Sequence, residues 1–393
     1  MTAEAPAERR HTATVGWFEL FYDLVVVAAI AVANDDFLTD PSFDTARDAV
    51  IAVIAMSWVW LLTTLVNNIF PGDDLLRRIL MLAQMALIVV GVLTIDQSLA
   101  EAGTRAMLAY GGALLIVPLL VVVDRWVPRR DRPPAPRHWG VLAALTIPPA
   151  LCGLGAVLGA PALQWLLLLA LAVSGATVLG WLYRQWWEDD RLRLDHLRER
   201  LGLFVLIILG EGFAQLVGAL HGLSSIPRTG SFALLFLVSF ALWWIYFDGL
   251  SPEDPHLRTV RWRLALLGHL LLVFGIAATL DILVLLAAGD EAEIGEHIPD
   301  YFAFSVALVL LSFALLRVAT RGGLGATGAL HVVSAALVVV TALLIDDSAR
   351  GLNITIVICA AVVIVNGVAT AWTLQPRQEG RLARARALIR GGG

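Results

Sequence analysis

Two carboxylates, Glu19 and Asp23, stand four residues apart where the chain enters the apolar run Leu24–Ala33, and a third, Glu211, lies between Gly210 and Gly212 in another apolar run. Acids cost about 2.5–3.5 kcal/mol each at the centre of a membrane helix, so they occur there with a partner or a task. The i, i+4 spacing puts Glu19 and Asp23 on one helical face, about 6 Å apart along the axis. Two acids that close cannot both ionise cheaply in a low dielectric. Proton or cation binding is the chemistry this pattern suits. The structural alternative is an interfacial Glu19 and an Asp23 that caps or pairs with an arginine of a neighbouring helix.

Other polar residues extend the candidate site. Glu211 lies about 16 Å beyond Arg200 along a regular helix, which is near the middle of a span. Its flanking glycines permit close helix approach or a local break, and Gln215 follows one turn later on the same face. The alternative is an acid hydrogen-bonded between helices. His269 sits about 9 Å inside Arg263, where it could relay protons or satisfy one local hydrogen bond. His196, Glu199 and Arg200 close a charged stretch before an apolar run. His196 and Arg200 share a helical face, and Arg200 suits either a carboxylate or anion partner or a membrane-edge anchor. Asp96 and Asp281 fall near the outer ends of their runs, where snorkelling to water is expected. Trp243, Trp244 and Tyr246 read as an aromatic belt.

What is absent narrows the chemistry. All 28 basic residues are arginine, which excludes a lysine Schiff base and a P-loop lysine. The two cysteines, Cys152 and Cys359, fall in separate apolar runs, so neither a structural disulfide nor a cysteine metal site is expected. No zinc spacing, HExxH, GxSxG, GxGxxG after a strand, or basic–aromatic surface occurs. We therefore expect no enzymatic activity, cofactor, metal or nucleic-acid partner. Membrane lipids and an unidentified small molecule or ion are the expected partners, and the oligomeric state is left open.

The elements that must position these groups follow from composition. With 59% hydrophobic and 16% charged residues in 393, the chain reads as an all-α, polytopic membrane protein. Runs of the length a bilayer requires occur at 16–34, 48–70, 79–99, 105–123, 139–159, 162–183, 201–220, 231–250, 263–287, 301–319, 326–345 and 353–374. These make twelve expected spans. Pro71-Gly72, Arg132-Pro133-Pro134, Gly159–Pro161 and Ser251-Pro252 supply breaks between them. With the N-terminus in the cytoplasm, 24 of the 28 arginines fall on that side, and only Arg47, Arg105, Arg228 and Arg350 lie outside. That is the bias the positive-inside rule predicts. Arg9 and Arg10 followed by Ala31-Val32-Ala33 imitate a cleaved signal, but the acids and aromatics in between favour an uncut helix.

The expected organisation is a cytoplasmic segment 1–15, a six-helix half 16–183, a cytoplasmic loop 184–200, a second six-helix half 201–374 and a basic tail 375–393 that anionic head groups attract. Arg78, Gln84 and Asp96 match Arg263, His269 and Asp281 at one offset of 185, as a parallel six-plus-six duplication would give. Trp58 and Trp60 against Trp243 and Trp244 add to the match.

The stretch Glu19-Leu20-Phe21-Tyr22-Asp23-Leu24-Val25 resembles the ELFFDLVFV-like signature of the bacterial low temperature requirement protein A (LtrA) family. His196-Leu197-Arg198-Glu199-Arg200 with Leu209-Gly210-Glu211 is similar to its HxxER…LGES block, and Trp243–Asp248 to its WWxYF(D) stretch. His269 also has a counterpart. The resemblance implies a multi-pass membrane protein linked to growth at low temperature, with Glu19, Asp23, His196, Glu199, Arg200, Glu211 and His269 as its polar positions. It implies no settled reaction. Tyr22 replaces a usual phenylalanine, and Gly212 replaces the serine after the glutamate, which puts in doubt any role for a hydroxyl there. The residues and the resemblance together suggest a secondary transporter or permease with a proton- or cation-linked carboxylate site. A non-catalytic membrane component of cold adaptation is the other reading, and an intramembrane enzyme ranks below both.

Overall fold

A computed structural model of the chain describes residues 15–94, 99–126, 139–159, 166–176, 180, 193–221, 229–249, 259–288, 298–345 and 354–373. Among them every regular element is a helix: α1 Trp17–Ala33, α2 Asp35–Thr39, α3 Phe43–Ile69, α4 Leu75–Leu93, α5 Leu99–Trp126 and α6 Trp139–Leu158. The chain continues with α7 Leu166–Ala176, α8 Leu194–His221, α9 Thr229–Gly249, α10 Thr259–Ala288, α11 Ile298–Arg321, α12 Gly325–Leu344 and α13 Ile354–Thr373. Asp96, residues 184–192 and the tail 375–393 lie outside the described residues.

A helix occupies each run expected to span the membrane. Eight stretches of the described residues are long and apolar enough to cross a bilayer. Shorter apolar helices cover Leu145–Leu158, Leu166–Ala176 and Phe236–Gly249. A chain that lets its backbone satisfy itself within helices, and turns apolar side chains outward, is built for lipid. Leu24, Val32, Ile54, Leu82, Val89, Leu337, Val340 and Leu344 are such exposed positions. The protein is a multi-pass membrane protein.

Local chemistry sets the helix ends. Ser42 caps α3 by accepting from the Thr45 amide at 3.3 Å, and Asp74 caps α4 by accepting from the Arg77 amide at 2.9 Å. Pro71-Gly72 separates the two helices as expected. Gly159 ends α6 with φ 79°, a left-handed conformation that side chains resist.

The helix α1 packs against α3, α4 and α8, while α8 packs against α9 and α10 as well. Consecutive layers α4–α5–α6 and α10–α11–α12 flank this centre. Close approach of α10 to α11 uses Gly268 and Gly275, where an added Cβ would meet Leu316 and Val309 at 2.9 Å.

Two features depart from the sequence reading. Helix α8 begins at Leu194, so residues 194–200, read as part of a loop, form its first turns. Arg77, counted only as one of the cytoplasmic arginines, is 2% exposed and donates to Asn67 Oδ1 at 2.8 Å. A guanidinium is stable in such a place because buried oxygens accept from it.

Candidate functional site

Because α8 starts early, His196 and Arg200 stand on its first turns facing the N-terminal end of α1. Glu19 meets His196, and Asp23 meets Arg200, at the same sequence separation of 177, so the two helices run parallel and in register. Arg200 is 1% exposed. Its Nη1 lies 3.1 Å from Glu19 Oε1, and its Nη2 donates to Asp23 Oδ1 and, at 3.3 Å, to Thr64 Oγ1 on α3. The guanidinium thus supplies the positive charge that lets two carboxylates share one helical face.

The remaining bonds hold the cluster to α3. Trp60 Nε1 donates to Asp23 Oδ1 at 2.6 Å, and the Trp60 ring stacks on Phe204 of α8 at 3.9 Å between centroids. Asn68 exchanges hydrogen bonds with the backbone of Arg193, which fixes its amide, and Asn68 Nδ2 lies 3.3 Å from His196 Nδ1. With Nδ1 accepting, the ring proton sits on Nε2 and is donated to Glu19 Oε2 at 3.2 Å. Beside it, Tyr22 donates to Thr63, Thr63 to Gln84, and Gln84 to the Ala113 carbonyl, so one chain of bonds crosses α1, α3, α4 and α5.

This cluster borders a cavity of about 740 Å³ lined by Glu19, His196, Arg77, Arg78, Arg193 and Asp73, among others. At its rim two hydrogen bonds from Arg78, at 2.6 and 2.7 Å, hold the Asp73 carboxyl below the usual carboxylate range.

A second polar cluster lies one helix-length away. Asn34, at the end of α1, donates from Nδ2 to Asp281 Oδ2 of α10 at 2.6 Å. Both are buried, and they line a cavity of about 20 Å³ with Glu211 and Gln215 of α8. Asn34 and Glu211 repeat the separation of 177 that relates the first pairs. The two clusters are about 16 Å apart along α1. Buried Val26, Val27, Ile30, Phe204, Val205 and Ile208 fill the space between. The helix α8 is continuous through Gly210 and Gly212, so there is no local break. Gly212 instead serves close approach, since an added Cβ would stand 2.4 Å from Leu280 Cδ1.

The sequence-expected residues therefore divide. Glu19, Asp23, His196 and Arg200 form the first cluster, while Glu211 and Gln215 belong to the second. Glu199 is exposed and joins neither. His269 forms its own pair: Nδ1 meets the Ala265 carbonyl at 2.7 Å and Nε2 the Tyr246 hydroxyl at 3.1 Å. Tyr246 is accordingly buried, unlike a residue of an aromatic belt, whereas Trp243 is exposed. Asp281 is buried and bonded to Asn34 rather than snorkelling to water. Sequence reasoning missed Asn34, Trp60, Thr64 and Asn68. The available signal was a set of polar side chains at the ends of apolar runs, Asn34 and Asn67-Asn68 above all. It also missed His331 and Asn366, buried partners at 2.7 Å that join α12 to α13.

The sequence model of the bacterial low temperature requirement A protein (LtrA) family matches residues 14–365, and the chain belongs to that family. "Uncharacterized protein RA0937" of Rhizobium meliloti (strain 1021) is 28% identical over 281 residues. The match spans 66% of this chain and 66% of that relative's length.

Proposed function

We propose that this member of the LtrA family is a secondary transporter or permease of the bacterial cytoplasmic membrane, with a proton- or cation-linked carboxylate site on the α1–α8 pair. The observation that carries the reading is a pair of polar, ionisable clusters at the two ends of α1, the second facing the middle of α8, separated by apolar side chains. Ionisable groups are retained inside a membrane bundle where they handle charge, and alternating access needs separate polar stations with a closure between them. In this reading Arg200, Glu19, Asp23 and His196 form the closure on the arginine-rich, cytoplasmic side. Glu211 belongs to the ion-linked station. The protein moves its substrate and does not transform it.

The same reading takes the chain as an internal duplication. Gln84 of α4 bonds Thr63 of α3, and His269 of α10 bonds Tyr246 of α9. These pairs correspond at offsets of 185 and 183, as two parallel six-helix halves would place them.

The test is proton and cation flux into vesicles containing purified protein, wild type against Glu211→Gln. Flux that falls in the variant supports the reading; equal flux in both removes Glu211 from the mechanism. Absence of flux in the wild type, over a panel of small solutes and ions, defeats transport altogether.

One observation favours a second reading, a non-catalytic membrane component that supports growth at low temperature. The first cluster is tied to three helices, as a structural clamp would be. That reading expects unchanged cold growth when Asp23 and Glu211 are neutralised together, and loss of growth only on truncation.

A further inference from the structure

The two clusters differ in one respect that bears on what binds. Arg200 stands between the acids of the first. The second holds two acids, Glu211 and Asp281, and among the described residues no arginine or histidine lines the 20 Å³ cavity they share. Their neighbours there are the amides Asn34 and Gln215 and otherwise apolar side chains. Asp281 is buried and Glu211 beside it is half-buried, and a buried carboxylate with a second acid for a neighbour and no countercharge calls for a positive partner.

The amides show where that partner sits. Asn34 is 3% exposed. Its Nδ2 is committed to Asp281 Oδ2, which leaves Oδ1 buried and, among the described residues, without a hydrogen-bond partner. Gln215 Oε1, one turn beyond Glu211 on the same face of α8, is buried and unpartnered in the same way. Native structures rarely leave such acceptors empty, and each one points to an unseen water or ion. The cavity is of the size that holds one water-sized particle.

We propose that Asp281, Glu211, Asn34 Oδ1 and Gln215 Oε1 form a binding site for a small monovalent metal cation of sodium size. An oxygen-only donor set selects a hard cation over a transition metal. A single proton, carried on one carboxyl, can be donated to only one of the two amide oxygens and leaves the other unpartnered, whereas a metal ion takes all four groups. Divalent ions fit less well. Magnesium gives up its waters reluctantly and calcium needs six to eight oxygens, which this cavity is too small to complete with water. A neighbouring cavity of about 230 Å³ between α1–α2, α3, α10 and α11 shares Asn34 and Asp281, and gives the ion a route that does not cross the Arg200 cluster.

As a coupling-ion station the site takes its role from the transport reading, but its occupancy is measurable without any flux. Purified protein in detergent is melted in choline chloride and in rising sodium chloride at constant ionic strength, with protonation, calcium and magnesium as separate arms. Sodium is expected to raise the melting temperature of the wild type in a saturable way. In Glu211→Gln the half-maximal sodium concentration should rise about tenfold or more, as loss of a site-supporting group does. In Asp281→Asn, which keeps the size of the side chain, the response should disappear. Melting in choline reports whether each variant folds, and Gln215→Met serves as a second, uncharged probe with a weakened response.

A sodium response of equal size in the wild type and all three variants overturns the site. So does no sodium response, or a response to protons, calcium or magnesium alone. Sodium stabilisation with no flux in vesicles would leave the site standing and remove the transporter. Flux lost in Glu211→Gln without any sodium binding would do the reverse.

Discussion

Arg200 of α8 reaches Asp23 of α1 in a place where neither side chain has water. Asp23 is 0% and Arg200 1% exposed, and the pair ties two helices whose starting points are 177 residues apart. Removing one partner of such a pair strands the other charge. Arg200→Gln should therefore destabilise the protein by about 3–5 kcal/mol, read as melting temperature in detergent. The double variant Arg200→Gln with Asp23→Asn should recover part of that loss, since position 23 then carries no unmatched charge and Glu19, though it loses Arg200, keeps His196. Arg200→Lys should fall between them, because one ammonium cannot reproduce the fork that meets Glu19, Asp23 and Thr64 together. Equal losses in the single and double variants would show that the pair is not coupled.

A second prediction concerns the rim of the large cavity, where Asp73 accepts from Arg78. The bonds lower the carboxyl's folded-state value, so the unfolded state holds the proton more readily. The pair therefore contributes above about pH 4, the usual carboxylate range, and its contribution fades as pH falls through the folded value. Melting curves of wild type and Asp73→Asn should converge in acid. At neutral pH the difference should be small, because both side chains are solvent-exposed and the pair is screened.

The helices were legible because twenty apolar residues in a row leave few alternatives. So was one half of the chemistry. The reading in which Asp23 pairs with an arginine from another helix needed only the arginine's identity, which is Arg200. The other half depended on which residue stands opposite, and one-dimensional depth does not carry that. Asp281 near the end of its run looked free to reach water. The end of α1 brings Asn34 to it, and the polar group turns inward. The burial of Arg77 was hidden for the same reason, since a count of arginines by side does not show that Asn67, near the end of α3, stands beside it. For His269 depth left a relay and a local hydrogen bond both open, and the structure adds the partners that depth does not carry, the Ala265 carbonyl on Nδ1 and the Tyr246 hydroxyl on Nε2.

That saturation gives a third prediction. If His269 only joins α10 to α9, Tyr246→Phe should cost about 0.5–1.5 kcal/mol, the net value of one hydrogen bond. Flux in vesicles and its pH profile should be unchanged in His269→Gln. A shifted pH profile in that variant would return His269 to the ion path.

The last prediction tests what Gly212 is for. Relatives are expected to carry serine here, and the hydroxyl would stand beside Glu211. In this chain an added Cβ would lie 2.4 Å from Leu280 Cδ1 and 2.7 Å from Leu280 Cβ, too close for any side chain without movement of α8 or α10. Gly212→Ala and Gly212→Ser should thus destabilise alike, by about 1–3 kcal/mol, as overpacking does. Trimming the opposing side chain should relieve it, so Gly212→Ala with Leu280→Ala should melt above Gly212→Ala alone. The readout that separates packing from chemistry is sodium stabilisation. Forcing α8 from α10 moves Glu211 away from Asp281, so the single variants should respond to sodium more weakly than the relieved double variant. If Gly212→Ser instead binds sodium better than the glycine protein at equal stability, the hydroxyl is a ligand and close helix approach is not the reason for the glycine.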